Sequence, residues 1–96
     1  MDDAAKYGEE ILLLIEQAID GELNREDFET LLRRKVYASL EATFRRGANI
    51  PPGDRMFPAE QITLNEALTN HETSIRKMTD ELYGAIELER AARRGQ

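Results

Sequence analysis

The chain has one histidine, His71, two serines, Ser39 and Ser74, and no cysteine. A metal-binding His71 needs partners on its own helical face, as in the di-iron bundles that combine Glu-x-x-His motifs from facing helices. Glu66 lies five residues before it and Glu72 one after, so neither shares that face at three or four residues' spacing. The positions that do are Ala67, Leu68, Ser74 and Ile75. No metal motif exists within this segment, and a metal site at His71 requires a second subunit to complete it. Nucleophilic catalysis is no better served, because neither serine has a glycine elbow and a single histidine must serve any triad. Without cysteine there is no thiol catalysis, disulfide or cysteine-ligated cluster.

Carboxylates are plentiful, but as adjacent pairs: Glu9/Glu10, Glu26/Asp27 and Asp80/Glu81. Acid–base work needs sheltered carboxylates with shifted proton affinity, and adjacent pairs on a polar helix face are solvated. The stretch from Asp20 to Asp27 echoes half of a calcium-binding EF-hand loop. Ala18 stands where an oxygen ligand belongs, however, and Asp27 stands where glutamate is usual. A helix stop followed by an N-cap explains the same letters. Three basic clusters, Arg33-Arg34-Lys35, Arg45-Arg46 and Arg90 with Arg93-Arg94, offer either complements to helix dipoles or a surface for phosphate or acid. No aromatic residue is interleaved within these clusters, although Tyr37 is close to the first, and glycine-rich phosphate loops are absent. No catalytic residue, metal or cofactor is expected.

The clearest pattern is a heptad seam over residues 64–85: Leu64, Leu68, His71, Ile75, Met78, Leu82 and Ala85, spaced alternately by four and three. Such a repeat specifies a helix packed lengthwise on others, and a polar residue in the seam restricts partner and register. His71 is read as a structural member of the seam, with a pH-sensitive interface group or a ligand as the alternatives.

The elements that position these residues form an all-α fold in one domain covering residues 1–96. Helix 1 is expected over about 3–19, with Ala4, Tyr7, Ile11, Leu14 and Ala18 on one face and Leu12, Ile15 and Ile19 widening the stripe. Asp2 and Asp3 suit its positive dipole end. Asp20-Gly21 stops it, and Asn24 caps helix 2, expected over about 25–46. The short link makes helices 1 and 2 an antiparallel hairpin. A proline- and glycine-rich loop follows over 47–58, in which Met56 and Phe57 either plug the bundle or form an exposed hook. Helix 3 is expected over about 59–92, ahead of a short basic tail at 93–96. Thr69 and Glu72 offer a capping box that would break this helix at 69–74, but the unbroken heptad phase favours one helix. At 1.5 Å per residue it is about 50 Å long against about 33 Å for helix 2, which argues for self-association into a three-helix or dimeric bundle.

The charge is uneven. Residues 1–32 hold ten acids and two bases, residues 33–57 six bases and two acids, and the total is −6. An acidic total argues against nucleic acid as the main partner. The longest apolar run, residues 11–15, is far short of a membrane span, and the start is acidic where a signal peptide is basic. The expectation is a cytoplasmic, non-enzymatic interaction module: an adaptor, assembly chaperone or regulatory subunit that binds another protein, itself, or both. Leu64, Leu68, His71, Ile75, Met78 and Leu82 are its candidate contacts, with Met56 and Phe57 as a hook. The alternatives are an acidic inhibitor or nucleic-acid mimic presenting Glu9, Glu10, Glu16, Glu22, Glu26, Asp27 and Glu29 to a basic groove, and a metal site between subunits at His71.

Overall fold

The computed structural model describes residues 3–21 and 23–95, with side chains from Lys6 onward. Asp2, Glu22 and Gln96, and the side chains of Asp3 and Ala4, lie outside the described residues. Every regular element among those described is α-helix: α1 (Asp3–Ile19), α2 (Arg25–Gly47), α3 (Pro58–Asn70) and α4 (Glu72–Arg94).

Local chemistry sets the helix ends. Gly21 takes φ +87°, a left-handed conformation without cost to glycine, and its N–H donates to the Ala18 carbonyl at the end of α1. Asn24 sits in extended backbone, and its side-chain oxygen accepts the Asp27 N–H at 2.8 Å, which starts α2. Asn49, at φ 58°, ends α2 with the Ile50 N–H returned to the Arg45 carbonyl at 2.8 Å. Pro52 and Gly53 (φ +87°) then form a tight turn closed by the Asp54 N–H on the Pro51 carbonyl. Arg45 holds that turn by donating to the Pro51 and Asp54 carbonyls at 3.2 and 2.8 Å. Glu60 accepts the Phe57 N–H at 2.9 Å, and Pro58 opens α3.

Cross-helix bonds fix the packing. Tyr7 on α1 donates to the Ala38 carbonyl on α2, and Lys35 pairs with Glu10, so these helices run in opposite senses. Arg25 pairs with Asp80, and Arg33 with Glu72, so α2 and α4 are also antiparallel. Arg90 meets Ala18, and Arg93 meets Asp20, so α1 and α4 run together. The core forms where the three overlap, from Leu14, Ala18, Phe28, Leu32, Tyr83 and Ile86. Phe28 and Leu32 are fully buried, each contributing about 1.5–3 kcal/mol by transfer from water. By the α2–α4 register, α3 precedes α4 along the second half of α2, where α1 reaches Ala38 through Tyr7 but, among the described residues, does not touch α3. There Leu64 and Met56 are the buried side chains.

The single helix expected over 59–92 is divided at His71. The His71 N–H is shared between the Ala67 and Leu68 carbonyls at 3.2 and 3.1 Å. Its ring Nδ1 lies 2.8 Å from the same Ala67 carbonyl, and the Thr69 hydroxyl donates to the Asn65 carbonyl at 2.9 Å. Side chains that compete for acceptors one turn back bend a helix, and here two do so within three residues. α4 and α2 each have 23 residues, but with Arg25, the first residue of α2, paired to Asp80, residues 81–94 of α4 run past the start of α2.

The buried stripe of α4 also differs from the seam. It runs through Ile75, Thr79, Tyr83 and Ile86, while Met78 and Leu82 are half-buried beside it and Ala85 is exposed. Polar atoms do not keep Thr79 and Tyr83 out of the core because both are satisfied: Thr79 donates to the Ile75 carbonyl at 2.8 Å, and Tyr83 to the Leu23 carbonyl at 3.2 Å.

Candidate interaction surface

Two polar constellations lock the helices together. At one end Arg90 donates to the Ala18 carbonyl through Nε at 2.6 Å and also through Nη2, to the Leu23 carbonyl at 2.7 Å, and to the Tyr83 hydroxyl at 2.9 Å. Its guanidinium lies 5.3 Å from the Tyr83 ring centre, and that ring packs 5.7 Å from Phe28. The last turn of a helix leaves carbonyls without intrahelical donors, and Arg90 supplies donors to α1 from another element. Midway along the molecule, Arg33 Nε donates to both oxygens of Glu72 at 3.0 and 3.2 Å, and the Tyr37 hydroxyl donates to the same carboxylate. Those two hydrogen bonds, Arg33 first, hold the Glu72 carboxyl below its ordinary value of 4.5. The bond to Glu72 in turn raises the Tyr37 phenol above 10.0. Glu72 opens α4, so this carboxylate also sits at a positive dipole end.

These constellations account for most of the basic clusters. Arg33 engages Glu72 and Glu29, Lys35 engages Glu10, Arg45 engages Glu41 and the loop, and Arg93 engages Asp20 and Glu89. A phosphate surface built on them would have to displace internal partners. His71 is half-buried, and since a carbonyl only accepts, its Nδ1 donates to Ala67. Among the described residues no three His, Asp or Glu side chains converge on a point that could hold a metal. No helix of the described residues is long and apolar enough to cross a membrane.

The seam residues fall into three environments. Leu64, Ile75 and Met56 are buried; Leu68, His71, Met78 and Leu82 are half-buried; Phe57 stands 75% exposed. Met56 and Phe57, adjacent in sequence, therefore separate into a plug and a projecting ring. Met78 and Leu82 pack on the core cluster with one side and leave the other beside the exposed Ala85. An open groove of 610 Å³ lies between Tyr7, the Ala38 and Ala42 edge of α2, and the loop residues Ile50 and Pro52. Glu41, Arg45 and Arg46 line it as well.

The structure adds apolar surface that the heptad reading passed over: Leu12, Leu13, Ile62 and Leu88 are all more than half exposed. A signal for two of them was present, because residues 11–15 are five consecutive apolar residues and one helical face cannot bury them all. The Arg90 constellation had no such signal, since two of its acceptors are main-chain carbonyls. No family model matches the chain, and neither the curated proteins nor the solved structures contain a significant match to it.

Proposed function

We propose that this chain is a non-enzymatic helical interaction module, working as an adaptor, assembly chaperone or regulatory subunit in the cytoplasm. Its contact surface is the outer flank of the seam. One observation carries the reading: the core of α4 uses Ile75, Thr79, Tyr83 and Ile86, which leaves Leu68, Met78 and Leu82 half-covered in a row that ends at exposed Ala85. A partner helix laid along this row would bury what the three-helix core does not, and the projecting Phe57 gives a second contact at the α3 end. The simplest partner is another copy, giving a dimeric bundle in which the α1–α2 hairpin backs each seam.

The test is the mass in solution by light scattering, with Ala85→Arg as the probe because Ala85 is exposed and its replacement spares the core. A dimer or larger particle that Ala85→Arg converts to monomer supports self-association through the flank. A wild-type chain that stays monomeric at high micromolar concentration rejects it.

A further inference from the structure

The outward ridge of α1 carries apolar surface that no described part of the chain covers. Leu12 and Leu13 are 61% and 60% exposed, while their neighbour Leu14 is 4% exposed in the core. At 100° per residue, Glu9, Leu12, Leu13 and Glu16 fall within about 100° of arc, on the side opposite Leu14 and Ala18. The two glutamates are seven residues apart, which is about 10.5 Å along the axis. They differ from the acids around them: Glu10 is paired with Lys35, Asp20 with Arg93, and Glu29 with Arg33. Glu9 and Glu16 are exposed, and their carboxylates have no ion pair or hydrogen bond among the described residues. Lys6, in the first turn, is the one base on this helix.

This charge pattern selects the occupant. A second copy meeting the ridge about a two-fold axis sets Glu9 against Glu16 if the helices are antiparallel, or each glutamate against its own twin if they are parallel. Like charges meet either way. The leucines call for an apolar counterpart, and the glutamates call for cations at their own spacing. We propose that the ridge of Glu9, Leu12, Leu13 and Glu16 docks a partner helix with one apolar stripe and two basic residues seven positions apart. This surface is separate from the seam flank, and its partner is a different protein. With ten acids and two bases, residues 1–32 also steer a basic partner toward the ridge from a distance.

The test uses a labelled amphipathic helical peptide of about 18 residues, long enough to form helix on binding. It carries a leucine stripe and arginines at i and i+7, and its control has glutamate at those two positions. Fluorescence anisotropy with the full chain should show the arginine peptide binding roughly tenfold more tightly, a ratio in keeping with two exposed ion pairs replaced by two repulsions. High salt should narrow the gap. The double substitution Glu9→Lys with Glu16→Lys should reverse the preference, and Leu12→Ser with Leu13→Ser should weaken both peptides. All four side chains are exposed, so circular dichroism should show each variant folded. Failure of both peptides to bind, equal binding of the two, or a preference unchanged by charge reversal would overturn the proposal. So would a dimer of the chain that dissociates on Leu12→Ser with Leu13→Ser, which would make a second copy the occupant.

Discussion

The two ends of this molecule are built from the same kind of amphipathic helix and bury very different amounts of it. Where α1, the start of α2 and the end of α4 overlap, Leu14, Ala18, Phe28, Leu32, Tyr83 and Ile86 are each at most 5% exposed. Where the second half of α2 meets α3, Met56 and Leu64 are buried while Phe57 and Ile62 stand 75% and 58% exposed. The difference is the third helix. An apolar stripe is sealed only when both of its shoulders are covered, and among the described residues α1 packs on α2 and α4 without touching α3.

The comparison breaks most easily at its strongest point. Phe28→Ala should cost about 3–5 kcal/mol, and Leu64→Ala about 2, because the thin α3 end can collapse or admit water around a truncated side chain. Urea denaturation of both variants decides it, and equal losses would mean that the two ends are packed alike. Next in size, Arg90→Met should cost about 1–3 kcal/mol by removing the charged donors from the Ala18 and Leu23 carbonyls, which keep only the Gly21 N–H and the Tyr83 hydroxyl. A melting temperature equal to wild type would show that water replaces the guanidinium at no cost.

Smaller effects sharpen the boundary between the ends. His71→Leu removes the ring's bond to the Ala67 carbonyl and substitutes a better helix former. It should therefore gain about 0.5 kcal/mol and raise helical ellipticity. A loss of stability would show that the ring has a polar role the backbone does not explain. The Glu72 contact should be visible through pH. Its carboxyl is lowered in the folded chain, so its contribution is complete above the ordinary value of 4.5 and fades as the pH falls from there through the lowered value. Glu72→Gln should therefore be less sensitive to acid over that window, and parallel denaturation midpoints for the two chains would remove Glu72 from the account.

Features resting on neighbours in sequence were legible before any coordinates. Asn24 beside Asp27, Gly21 after Ala18 and Pro58 at the head of α3 each act within a few residues, so their letters carry the outcome. The seam was legible as a pattern but not as a face. Counting apolar letters passes over Thr79 and Tyr83, whose hydroxyls find carbonyl acceptors and let them take the core positions. The break at His71 was in the letters as the Thr69 and Glu72 capping box, and continuity of the apolar phase concealed it. Phase continues through a bend because it records which residues are apolar, not whether the axis is straight. The exposed ridge of α1 was half legible: five apolar residues in succession require that some face outward, but not which.

The guanidinium of Arg90 reaches Ala18 across 72 positions in a chain of 96. A growing polypeptide therefore makes α1 and α2 long before it makes the group that finishes α1. Until then the Ala18 carbonyl has only the Gly21 N–H as donor, and the Leu23 carbonyl has neither the guanidinium nor the Tyr83 hydroxyl. Loop closure over such a span comes late, after α2 and α4 have met and brought their ends into register. In stopped-flow traces, Arg90→Met should speed unfolding and leave the refolding rate close to wild type; slowed refolding would place the contact in the nucleus instead. Arg90 thus acts as a latch, added in the last turns of the last helix, and it governs how long the assembled chain stays shut rather than how quickly it forms.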